Sequence, residues 1–336
     1  MGKGNNTGRQ AAMDTYMIQL EASSGRHWIS SRAGQQLDIT LIEKQESMEA
    51  AVALLRNQPI VALDFETTTE RGSYEKYVDT KGVEHEYGPQ GEHSGDIRLI
   101  QVGYTDPSGR GRQVLFDGQK VDLTPLAELL EDPTVSKIVH YCPFELAWSR
   151  HKLGCDIEGL QDTCFTAQSV NKEIRSRIAA SLMPKADKKQ LAELTNLLRL
   201  PSEDGVRALQ DESASFADQQ VVTATEKTVA KIQKELDDLG CNDTSAALQD
   251  WQSTEKAALK DLSARYLQAP MSKEEQASDW SRKRLSAEQL DYAAADAAVT
   301  LQVQRHMENL SSLLGLQAKV QWRLDKERKN HQPAAS

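Results

Sequence analysis

The chain has 336 residues, 39% hydrophobic and 27% charged, with 19 glycines and 10 prolines. It is long enough for one large or two ordinary domains, and its composition excludes a collagen-like or fibrous protein. A net charge of -10, from 40 Lys and Arg against 50 Asp and Glu, excludes bulk electrostatic gripping of nucleic acid, but not a carboxylate site that meets nucleic acid through metal ions.

The first ten residues, MGKGNNTGRQ, have no apolar stretch of the signal-peptide kind, so the expected compartment is the cytoplasm. No run approaches the roughly 20 apolar residues that span a bilayer, so no membrane association is expected. Short apolar patches between Tyr16 and Ile42, YMIQL and LDITLI, predict strands within an N-terminal extension over 1–40. Apolar spacing over Ser47–Arg56 predicts a helix. PIVALDFETTT (59–69) is the strongest strand signal in the chain: an apolar run that ends in two carboxylates and a Thr-rich break. Residues 70–96 are expected to be an irregular loop. IRLIQVGYT (97–105) and RQVLFD (112–117) then predict two further strands of an antiparallel meander. A helix at 123–131, a strand KIVHY (137–141) and a helix from Phe144 to Leu153 continue the pattern. The expected fold class is α/β, a mixed sheet flanked by helices.

The polar stretch 171–256 predicts a helical hairpin inserted into that fold. Val229, Ile232, Leu236 and Leu239 form one stripe, Gly240 and Asn242 supply a C-cap, and a second helix is expected through Trp251, Leu259 and Leu262. Ser286 and Gln289 form a capping box that starts a helix near Ala287 and carries it to about 314. Within a charged C-terminal tail over 316–336, the stretch from Arg323 to Ser336 is expected to fray. None of the four cysteines forms a CxxC pair, which points to reduced thiols rather than zinc or redox chemistry.

The chemistry-bearing candidates are acids. Asp64 and Glu66 are two apart on a strand and project from one face. Tyr292 and Asp296 are four apart on a helix, again on one face, separated by alanines that permit close approach. Glu145 lies near a helix N-terminus, where the dipole favours a carboxylate. Oxygen-only ligands suit hard cations such as Mg²⁺ or Mn²⁺, and two divalent ions neutralise four carboxylates.

In order, VALDFET, the His140–Glu145 element, Asp162-Thr163, KEEQASDW and YAAAD resemble the DEDD superfamily of 3′–5′ exonucleases. The closer resemblance is to its Tyr-type branch, which includes RNase D, Werner-type exonucleases and the proofreading domain of family A DNA polymerases. The His-type branch places its histidine five residues before the last Asp, where this chain has Asp291. The resemblance covers about 40–170 and 257–315, and it implies a ribonuclease H-like exonuclease domain over 41–315. It also implies that Asp64, Glu66, Glu145 and Asp296 hold two divalent cations, Asp64 bridging both, and that Tyr292 orients the attacking water. Thr67, Gln101, Tyr141, Lys273 and Gln276 are the implied substrate contacts. The second motif departs from the family's His-Asn-x-x-Phe-Asp, with Tyr141 for Asn and Glu145 for Asp. Lys273, Arg282, Lys283 and Arg284 add a basic cluster beside the SDW element.

The implied partner is nucleic acid with a free 3′ end, single-stranded DNA ahead of RNA, with a polymerase or replication protein as a further partner. Two other readings stand beside it: an RNase D-like trimmer of RNA, and a non-catalytic binding or scaffold protein built on the 171–256 arm.

Overall fold

A computed structural model describes residues 25–68, 77–78, 84–85, 95–198, 216–249, 251, 256–272, 275 and 278–330. The chain divides into two compact units: 1–163, 270–302 and 321–336 form one, and 164–269 with 303–320 form the other.

The first unit is built on a seven-stranded sheet. Its strands are β1 (Gly25–Arg32), β2 (Gln35–Ile42), β3 (Ile60–Thr67), β6 (Ile97–Thr105), β7 (Gly111–Asp117), β8 (Ser136–Val139) and β9 (Leu160–Asp162), in the order β1-β2-β7-β6-β3-β8-β9. A separate two-residue pair, β4 (Tyr77–Val78) and β5 (Glu84–His85), lies in the stretch expected as loop. The predicted meander forms: β6 pairs antiparallel with β3 and with β7, while β8 and β9 add in parallel. The central five strands therefore run 3-2-1-4-5 with the second reversed, the ribonuclease H-like arrangement. β2 adds in parallel to β7, and β1 closes the edge antiparallel to β2. The boundary expected at residue 40 thus falls inside β2: the alternation of Leu37, Ile39 and Leu41, all buried, makes this segment part of the sheet. The YMIQL patch lies outside the described residues.

Helices α1 (Met48–Arg56), α2 (Ala127–Leu130) and α3 (Pro143–Trp148) fill the expected positions, α3 running on through a π-helical turn to Leu153. The long helix that crosses the sheet face is α9 (Ala287–Leu313). Its capping box forms as predicted: Gln289 N–H donates to Ser286 Oγ at 3.2 Å, and Ser286 N–H donates to Gln289 Oε1 at 3.0 Å. Ala293, Ala294, Ala295 and Ala298 pack into one buried cluster with Leu37, Ile39, Leu41, Leu99 and Leu115. A Cβ on Gly103 would sit 3.1 Å from the Ala297 carbonyl, so glycine on β6 and small side chains on the helix together set how closely helix and sheet approach.

The second unit is helical, with α4 (Thr163–Leu182), α5 (Lys188–Leu197), α6 (Phe216–Asp238), α7 (Asn242–Ala246) and α8 (Leu259–Leu262). The stripe on α6 holds for Val229, Ile232 and Leu236, which are buried, and Gly240 takes φ 75° at the predicted cap. Leu239 departs from it at 65% exposure, because the helix ends at Asp238. The second long helix is not continuous: α7 stops at Ala246 and α8 begins at Leu259, with Trp251 between them hydrogen-bonded to Asn171. The tail does not fray where it is described. α10 (Gln317–Asn330) buries Leu324, and its Arg328 pairs with Asp156 and Glu158. Among the described residues no helix is long and apolar enough to cross a membrane.

Candidate active site

Antiparallel register puts Asp64 opposite Gln101 and Glu66 opposite Leu99. These side chains therefore share the face that α9 covers. Asp296 reaches down from α9, and ligand oxygens of Asp64, Glu66 and Asp296 all lie within 4.8 Å of one another. Three acids 232 residues apart at their extremes, 64 to 296, meet because β3 ends its apolar run under the alanine-rich turn of α9. A register shift between Glu66 and Thr67 ends the regular ladder there, leaving Thr67 buried at the strand end.

Glu145 comes from the first turn of α3 and is 2% exposed, and its Oε2 has no hydrogen-bond partner among the described residues. It is outside the tight triad, but its charge is felt at Glu66 and the charge of Asp64 is felt at Glu145. Asp162, at the end of β9, positions it. Its carboxylate accepts from the amides of Cys142 at 2.7 Å and Tyr141 at 3.3 Å, which holds the turn before α3. Tyr141 takes φ 78° in that turn, a left-handed conformation costing about 1–3 kcal/mol for a non-glycine residue, and the residue is 40% exposed.

The electrostatics are those of acids crowded without counter-charge. Burial raises Asp64 from an ordinary 3.8 to about 6, despite hydrogen bonds from the Gln101 amide and the Phe65 backbone. Burial, then the charges of Asp64, Asp296 and Glu145, push Glu66 well above the carboxylate range. Glu145 is raised by burial and by Asp64. Among the described residues no Lys or Arg side chain lowers any of these three.

Tyr292 lies one turn before Asp296 and donates its hydroxyl to that carboxylate. Burial, with the charges of Asp296, Glu66 and Asp64, raises it far above its ordinary 10, so the phenol stays protonated. Its ring packs with Trp280 at 6.4 Å between centroids, and the Arg32 guanidinium lies 5.4 Å above it. Trp280 is buried, the anchor role its residue type favours.

Of the expected substrate contacts, Gln101 is hydrogen-bonded to Asp64, Thr67 ends β3 and Tyr141 stands at the turn before Glu145. Lys273 and Gln276 lie outside the described residues. Two contributors were not singled out by role from the sequence: Asp162 and Arg32. Asp162 ends β9 and reaches back 20 residues to Cys142; only the pairing of β8 with β9 makes that span short.

The donor set fits divalent metal ions. Three carboxylates crowd within 4.8 Å, a fourth is buried with an unpartnered oxygen, and hard oxygen ligands are what Mg²⁺ and Mn²⁺ take.

A family described as 3′-5′ exonuclease matches residues 39–203 and 218–311. The chain belongs to this 3′–5′ exonuclease family, which is of the DEDD type, a class that works with divalent metals. The family match runs through most of the stretch expected as an insertion, leaving out only 204–217 within it. Three solved structures are similar. Escherichia coli RNase D has 15% identity and TM-score 0.48, with 88% of this chain and 51% of that one covered. The catalytic core of RRP6 from Trypanosoma brucei has 14% identity and TM-score 0.48, with 94% and 60% covered. Brucella melitensis NrnC has 16% identity and TM-score 0.42, with 82% and 84% covered. The chain thus spans 51–60% of the length of the first two. No curated protein matches it in sequence.

Proposed function

We propose that Asp64, Glu66, Glu145 and Asp296 hold two divalent cations that carry hydrolysis of the 3′-terminal phosphodiester of single-stranded DNA, releasing nucleoside 5′-monophosphates. The observation that carries this reading is the gathering of these acids, from three distant segments, on one sheet face without a basic side chain to lower Asp64, Glu66 or Glu145. Bound cations supply Lewis acidity to the water and to the leaving 3′-oxygen. The chain's own residues do the positioning. Tyr292, held as a phenol, is a hydrogen-bond donor and acceptor for the attacking water and not a base. Gln101 fixes one oxygen of Asp64, Asp162 fixes the turn that aims Glu145, and the exposed Tyr141 offers a stacking surface for the terminal base.

DNA is proposed on the IRLIQVG segment after DFETT and on the KEEQASDWS run, which resemble a proofreading domain and would make a polymerase the partner. Cys142, Cys155, Cys164 and Cys241, none of them in a disulfide, fit the reducing cytoplasm proposed as its location. Single-stranded DNA and RNA labelled at the 5′ end, incubated with Mg²⁺, Mn²⁺ or EDTA, test the assignment. One-nucleotide shortening abolished by EDTA and faster on DNA is the expected result. Faster shortening of RNA overturns the substrate, and no shortening of either overturns the metal assignment.

A further inference from the structure

A second feature on the α9 face of the sheet is a cavity of about 380 Å³ at the C-terminal ends of β2 and β7. Leu285 and Leu290, at the start of α9, form its apolar wall, and Asp117 ends β7 beneath it. The polar lining is mostly cationic: Arg26, Lys120, Lys283 and Arg284, against Glu43 and Asp117. Both acids are already engaged. Asp117 pairs with the fully buried Arg98, and Glu43 lies 3.9 Å from Arg26. Lys120, Lys283 and Arg284 are exposed and have no ion-pair partner among the described residues, in a chain whose net charge is -10.

The cations are held in place by backbone ties. Arg98 reaches the Arg282 carbonyl at 3.4 Å, and Gln119 reaches the Ser281 carbonyl at 3.3 Å, so the segment bearing Lys283 and Arg284 is fastened to the end of β7. Sheet register locates the cavity relative to the acids. Glu66 pairs with Leu99 and Leu99 with Asp117, so one line of partners runs across the sheet from the metal triad to the cavity floor. Two strand spacings make that roughly 10 Å. At about 3.4 Å of rise per stacked nucleotide, this is the reach of about three nucleotides.

We propose that this pocket is a second phosphate site, which takes a backbone phosphodiester of the bound strand about three nucleotides 5′ of the scissile bond. It supplies local positive charge that the whole protein lacks, and it makes strand length part of recognition. The proposal rests on the metal site marking where the 3′ end lies.

The test compares wild type with Lys283→Glu/Arg284→Glu on a dinucleotide and an octanucleotide, with binding of the fluorescent octanucleotide measured separately by anisotropy in EDTA. The double variant should weaken octanucleotide binding at least about tenfold and lower the slope of log affinity against log salt by about 0.7 for each phosphate it no longer neutralises. Cleavage of the dinucleotide should stay within about twofold, since it cannot span both sites. Unchanged anisotropy overturns the proposal even if the protein cleaves neither substrate, so its failure is separable from that of the metal site. Equal losses on both substrates overturn it too, because the residues would then act at the 3′ end. A free nucleoside 5′-monophosphate is the rival phosphate source: if it binds wild type and loses affinity in the double variant while the octanucleotide does not, the pocket takes mononucleotides and the strand assignment fails.

Discussion

The sheet carries two carboxylate centres, and they are built in opposite ways. Around Asp38, buried on β2, two guanidinium cations and an imidazole converge: Arg112 at 2.8 Å, Arg110 at 3.4 Å and His27 at 2.7 Å. Arg112 also reaches Asp106 at 3.0 Å. Burial opposes ionisation of Asp106, but hydrogen bonds from Ser108 and Arg112 outweigh it and hold its carboxyl below the ordinary range. On β3, Asp64 and Glu66 meet Asp296 and Glu145, and both are pushed upward. One centre is closed by the chain's own charges and is structural. The other is left open, at a cost in stability, and only a cation from outside completes it.

Removing one acid from each centre should therefore have opposite effects. Asp64→Asn should lower exonuclease activity by about 10³-fold, the several kcal/mol a metal-assisted step is worth, while raising the thermal midpoint in EDTA because it relieves repulsion. A lower midpoint would show that Asp64 is structural. Asp38→Asn should do the reverse, costing about 3 kcal/mol in urea denaturation by leaving cations uncompensated, with kcat per folded molecule retained. Tyr292→Phe should come next, slowing turnover about tenfold to a hundredfold while calorimetry finds divalent-ion affinity kept. Loss of that affinity would mean the phenol supports Asp296 as a ligand group rather than orienting water.

The open centre was more legible in the sequence than its surroundings. Period-two spacing placed Asp64 and Glu66 on one face, and period-four spacing placed Tyr292 over Asp296, because local geometry alone decides such pairs. The capping box read from Ser286 and Gln289 formed for the same reason. What stayed hidden depends on pairing across the fold. Asp162 matters only because β9 lies beside β8, and Arg32 only because β1 folds back on β2 and brings its guanidinium over the Tyr292 ring. Residues 25–40 looked peripheral because their strands gain meaning from β7, over 70 residues away. The second long helix failed because Trp251, Leu259 and Leu262 are apolar at helical spacing, yet Leu259 and Leu262 share the short α8 while Trp251 lies outside it.

The pH dependence of stability is the most direct measure of the contrast. Asp64 binds its proton with a value of about 6 in the folded chain against an ordinary 3.8 when unfolded. Between these values the folded state holds more protons, so its stability falls as pH rises from about 4 to about 6 and levels off above that window. Glu66 and Glu145, raised in the same direction, extend the decline upward. The closed centre acts elsewhere: Asp106, with its value lowered, adds stability that is present above 3.8 and lost only as pH falls below it. Unfolding in EDTA at several pH values, wild type minus Asp64→Asn, cancels the groups common to both and leaves the open centre. That difference should decline with rising pH, and saturating Mg²⁺ should abolish or reverse it, because a cation binds the deprotonated acids. Identical profiles for the two proteins would mean that Asp64 already has a counter-charge within the chain, as Asp38 has in Arg110 and Arg112.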